Sequence, residues 1–77
     1  MDFEPSKLHQ NIIAILRSAN ALDERNAMTP KALVEACKAQ GFGDARQLDE
    51  AIMTLIDHDI IEYEMDDNLE VACMWLL

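Results

Sequence analysis

Leu8, Ile12, Ile15, Leu16 and Ala19 recur at the i, i+4, i+7, i+8 and i+11 positions of one helical face, the signature of an amphipathic helix. Pro5-Ser6 opens this pattern, and Asn20 with the polar Asp23-Glu24-Arg25-Asn26 stretch marks its end. The spacing predicts a helix over 6–20, with Ile13 off the stripe. Thr29-Pro30 is the next start signal. Threonine is a favoured N-cap, and proline at the first helical position lacks only an N–H that would have no helical partner. Leu33, Ala36, Cys37 and Gln40 share one face and Gly41 supplies the stop, so the second helix is predicted over 30–40. Asp44 caps a third, with Gln47 placed to reach back as in a capping box. Its apolar stripe is Leu48, Ala51, Ile52, Leu55 and Ile56; Arg46, Gln47, Asp49, Glu50, Met53, Thr54 and Asp57 lie opposite. This helix is predicted over 45–58.

After Asp59 the period changes from helical to two. Ile61, Tyr63 and Met65 alternate with Glu62 and Glu64, which describes a half-buried strand. Asp66-Asp67-Asn68 is turn chemistry, because these residues tolerate tight and left-handed backbone. Leu69, Val71, Cys73 and Trp75 then alternate with Glu70, Ala72 and Met74. The pattern predicts a β-hairpin of strands 60–65 and 69–75, with the first of these sets facing inward. Met74-Trp75-Leu76-Leu77 is apolar on both faces and calls for cover, with Phe3 and Leu8 of the N-terminal region as candidates.

Length makes this a single domain over 1–77. At 77 residues and 51% hydrophobic content the chain stands near the lower size limit for one unstapled core, and is too apolar to be disordered. No apolar run reaches the roughly 18–20 residues that span a bilayer. The acidic start Met1-Asp2-Phe3-Glu4-Pro5 is unlike the basic start of a secretory signal. A cytoplasmic protein without membrane association is expected. Cys37 and Cys73 fall on inward positions and read as reduced, structural thiols.

Charge changes the picture. Residues 1–43 hold as many acids as bases, whereas 44–70 carry ten acids (Asp44, Asp49, Glu50, Asp57, Asp59, Glu62, Glu64, Asp66, Asp67, Glu70) against Arg46 alone. The whole net charge of −9 sits in that stretch. Catalytic chemistry is sparse by comparison. His58 at a helix end reads as a cap or surface group, no histidine is expected to partner Ser6 or Ser18, and Gly41-x-Gly43 lacks the rest of a phosphate loop. No Cys-x-x-Cys or His-x-x-x-His spacing is present. The chain is expected not to be an enzyme and to hold neither metal nor cofactor.

Met28-Thr29-Pro30-Lys31-Ala32-Leu33-Val34, the Gln40-Gly41-Phe42-Gly43-Asp44 turn, and Leu48…Ile52…Leu55 leading into Ile60-Ile61-Glu62-Tyr63 together resemble the winged-helix branch of the helix-turn-helix superfamily. The resemblance runs from Ser6 to Trp75. It implies a small α+β fold of three helices followed by a C-terminal hairpin, the wing, with Ala27-Met28 as a short third strand. An unrelated three-helix layer against a hairpin is the alternative. The resemblance also implies DNA binding, with the third helix in the major groove and the wing on flanking backbone. On this chain those surfaces would offer phosphates one cation and many carboxylates, while typical binders neutralise about 6–10 phosphates. Arg46, Gln47, Thr54 and Asn68 are the residues suited to bases or phosphates; Lys7, Arg17, Lys31 and Lys38 supply a second, neutral region. Duplex binding through the third helix and wing is therefore not expected. The acidic face reads either as a solvated surface or as a docking surface for a basic protein, imitating nucleic acid. In size and charge alone the chain looks like small acidic phage-type inhibitors of restriction, CRISPR or transcription machinery. The leading expectation is a non-catalytic protein-binding module contacting its partner through Asp49, Glu50, Met53, Asp57, Glu62, Glu64, Asp66 and Asp67. The alternative is a winged-helix transcriptional regulator, dimeric on DNA. Trp75 and Leu77 are the residues suited to self-association as a homodimer.

Overall fold

The computed structural model describes residues 5–77; the expected contact of Trp75 with Phe3 lies outside them. Helix α1 spans Lys7–Ser18. Ser6 Oγ accepts the His9 N–H at 3.3 Å, and His9 Nδ1 accepts the Ser6 N–H at 3.0 Å. This is a capping box in which histidine replaces the usual Glu or Gln. A 3-10 turn follows at Glu24–Asn26, held by Asp23, whose Oδ1 accepts the Asn26 N–H at 2.9 Å. Helix α2 is Pro30–Ala39, where Thr29 Oγ1 accepts the Ala32 N–H at 3.2 Å. Helix α3 is Ala45–Asp57, where Asp44 Oδ1 accepts the N–H groups of Arg46 and Gln47 at 3.0 and 3.2 Å.

All three helices end by one device. Asn20, Gly41 and Asp59 take left-handed backbone, with φ of 59°, 91° and 58°. The next residue's N–H returns to a carbonyl in the last turn: Ala21 to Leu16 at 2.8 Å, Phe42 to Cys37 at 2.9 Å and Ile60 to Leu55 at 2.9 Å. Each is a Schellman closure, which satisfies orphan carbonyls and sets an apolar residue beside the helix end. Ala21, in a stretch that reads as polar linker, is thereby buried in the core.

Strands β1, Ile61–Met65, and β2, Val71–Leu76, form an antiparallel hairpin. Met28 exchanges both backbone hydrogen bonds with Met74 at 2.9 and 2.8 Å, so β2 runs between β1 and this one-residue third strand. Three helices followed by a hairpin, with that bridge, are the winged helix-turn-helix arrangement. The core gathers Ile12, Leu16, Leu33, Cys37, Leu48, Ala51, Ile52, Leu55, Ile61, Met74 and Leu76.

The second strand departs from expectation. Ile61, Tyr63 and Met65 pair with Leu76, Met74 and Val71, but Glu64 pairs with Cys73, leaving Ala72 as an extra residue. This bulge reverses the parity of everything after it, as any one-residue slip does. Met74 and Leu76 therefore face the core, while Cys73 and Trp75 lie on the opposite hairpin face, half-buried. Leu69 is not a strand residue. It occupies the left-handed position that follows the Asp66–Leu69 turn, with φ 61°, and is 80% exposed. Three-residue hairpin loops use that conformation, which costs a non-glycine residue about 1 kcal/mol. Leu69→Gly should therefore stabilise the fold by about 0.5–1 kcal/mol in urea denaturation, the relief exceeding glycine's entropic penalty. A loss of stability would mean that the leucine side chain contributes more than its strain costs.

Among the described residues one side-chain polar atom, Asn11 Nδ2, is buried without a partner. Burial pushes the Cys37 thiol above its ordinary pKa, and the Asn11 amide pulls weakly the other way.

Candidate docking face of the third helix and hairpin

Every expected contact residue on α3 reaches the surface, since the stripe opposite Leu48, Ile52 and Leu55 faces outward. Asp49, Met53 and Asp57 follow one another at i, i+4 and i+8, so they form one line along the helix. Met53 is 64% exposed. Beside this line the core-side face of the hairpin leaves two apolar hollows. One, of about 290 Å³, is lined by Met53, Ile56, Asp57, Tyr63, Met65 and Val71. The other, of about 250 Å³, is lined by Pro30, Asp49, Ile52, Met53, Ile56, Val71 and Met74. Met53, Ile56 and Val71 belong to both, so the hollows join into a trough with Asp49 at one end and Asp57 at the other.

The remaining acids are distributed differently. Strand alternation sets Glu62 and Glu64 on the other side of the hairpin, away from α3. There Glu64 meets Glu24 of the 3-10 turn. A hydrogen bond between the two carboxyls, their mutual repulsion and slight desolvation together raise the Glu64 carboxyl above its usual range. Asp66 is engaged in the turn, where its Oδ1 accepts the N–H groups of Asn68 and Glu70 at 2.9 and 3.1 Å. Its replacement by lysine would remove two hydrogen bonds as well as a charge. Asp67 stands free of that network at the exposed tip, and Glu50 sits one position from the Asp49 line. Thr54 Oγ donates to the Glu50 carbonyl at 2.9 Å, so its hydroxyl is turned back onto the helix.

The trough residues Ile56, Tyr63, Met65 and Val71 were legible only as core-facing apolar positions. Nothing local in the sequence says that the hairpin stands off from α3 and leaves them half-open. Of the two residues suited to self-association, Leu77 is exposed and Trp75 is half-buried against the core. The expectation that Ser6 lacks a histidine is overturned, because Ser6 Oγ lies 2.9 Å from His9 Nδ1. Among the described residues, no three His, Cys, Asp or Glu side chains are grouped as metal ligands, and no helix is long and apolar enough to cross a membrane. Comparison with protein-family models, curated proteins and solved structures found no match to this chain.

Proposed function

We propose that the chain is a non-catalytic protein-binding module, which docks a basic partner through α3 and the hairpin as an inhibitor or accessory subunit of a nucleic-acid machine. The observation that supports this reading is the line Asp49–Met53–Asp57 along the trough. It places carboxylates and an exposed methionine on the surface that winged-helix modules set into a DNA groove. A phosphate there would meet like charge within a Debye length of about 8 Å, so added salt would not rescue the contact. Basic side chains on a protein would meet complementary charge, which speeds encounter and fixes orientation more than it raises affinity.

Two measurements test the reading. Random duplex DNA at low salt should show no retention of the protein in a gel shift; tight, salt-sensitive retention would instead favour the dimeric DNA-binding regulator. Replacing Asp49, Glu50, Asp57 and Asp67 by lysine should abolish capture of the partner from host lysate, with circular dichroism unchanged. Asp66 is left alone because it holds the turn. Undiminished capture by that variant would remove the acidic face from consideration.

A further inference from the structure

We infer that the trough between α3 and the hairpin takes an amphipathic, basic helix of the partner, with apolar side chains on Met53, Ile56 and Val71 and cations at Asp49 and Asp57. The inference deepens the docking reading and rests on it. Three observations select this occupant. The first is the trough's walls: Met53 and Met65, 64% and 45% exposed, line its two hollows, with the buried Met74 beneath them. Methionine is unbranched and polarizable, and surfaces rich in it receive helices by adapting to their side chains. The second is charge. Both residues of the acidic or basic classes among those lining the trough are carboxylates, Asp49 and Asp57, so an acidic or neutral occupant leaves them uncompensated.

The third is spacing. Eight residues of α-helix separate the two carboxylates, a rise of about 12 Å. A helix lying along α3 meets both when its own cations are roughly seven or eight residues apart. Its apolar residues then fall four and seven positions after the first cation, above Met53 and Ile56. An extended segment would instead bring cations about four residues apart to the same carboxylates. The methionine-rich lining favours the helix.

A synthetic peptide of about 18 residues, long enough to be helical when bound, with two lysines eight residues apart and leucines between them on the same face, is the probe. It should bind the intact chain with micromolar affinity and gain helicity on binding. Backbone amide shifts should be confined to α3 and the hairpin. Met53→Gln, at an exposed position that the fold does not need, should weaken binding about tenfold, equivalent to 1.4 kcal/mol. Asp49→Asn with Asp57→Asn should weaken it similarly and flatten its salt dependence. The same peptide with glutamate for lysine should not saturate. Equal affinity for wild type and Met53→Gln, shifts centred elsewhere, binding without helix formation, or no saturable binding would each overturn the inference. The docking reading fails separately, when lysine replacement of the acidic face leaves host-partner capture undiminished.

Discussion

Leu55→Ala should lower the free energy of unfolding by about 3–5 kcal/mol, the range for a buried leucine that leaves a cavity. Leu55 is 0% exposed and lies on the inner stripe of α3, and its carbonyl also accepts the Ile60 N–H that closes the helix. A chain of this size has about 4–12 kcal/mol of total stability, so the substitution removes a large share of it. The melting temperature should fall by about 12–40 °C, at roughly 4–8 °C per kcal/mol for a domain this small. Leu77→Ala, at a residue 68% exposed, is the matched control and should change stability by less than about 0.5 kcal/mol. Thermal melts followed by circular dichroism read both. A Leu55→Ala loss below about 1 kcal/mol would mean that the site collapses freely, contrary to a core packed around it.

Replacing Asp49, Glu50, Asp57 and Asp67 with lysine should turn the same surface into a non-specific duplex binder. The four reversals move the net charge from −9 to −1 and set four new cations beside Arg46 along α3 and at the hairpin tip. Neutralising about four phosphates gives a log–log salt slope near −3.6, from roughly −0.9 per contact. Duplex retention should rise at least about a hundredfold over the wild type near 50 mM salt and vanish as salt increases. Lysine at position 57 also suits the negative end of the helix, so the fold should tolerate the change. A folded variant that still ignores DNA would show that shape, rather than charge, keeps duplexes off this face.

The sequence made the helices legible because each carries two independent signals, an apolar stripe and a capping residue. Thr29-Pro30 and Asp44 set the starts of α2 and α3, and the structure agrees to the residue. The end of α1 was harder to see: Asn20 marked it, but its left-handed turn carries Ala21 into the core, which a small residue in a polar stretch does not announce. The hairpin shows where pattern loses its phase. From Val71 to Leu76 every residue is apolar, so alternation has no polar member to fix which face is which, and the bulge at Ala72 shifts it unseen. β1 alternates with glutamates, which fix its phase, and the structure differs from the predicted span only at Ile60. For the docking face, the α3 residues were visible as the polar side of a strong stripe. The division of the acids between trough and hairpin back was not, because it depends on strand parity and on Asp66 being occupied by its own turn.

The central place of β2 bears on how the chain folds. The helices and their Schellman closures need only neighbours a few residues away, so they form from local contacts. The sheet does not. Joining Met28 to Met74, and the Leu76 N–H to the Ala21 carbonyl, closes loops of roughly fifty residues, at about 3.4 kcal/mol of chain entropy from the logarithmic term alone. That cost falls before the strand's packing returns anything. The docking of one short apolar strand between two distant partners should thus be among the slowest steps of folding, leaving Met74 and Leu76 in water until it happens.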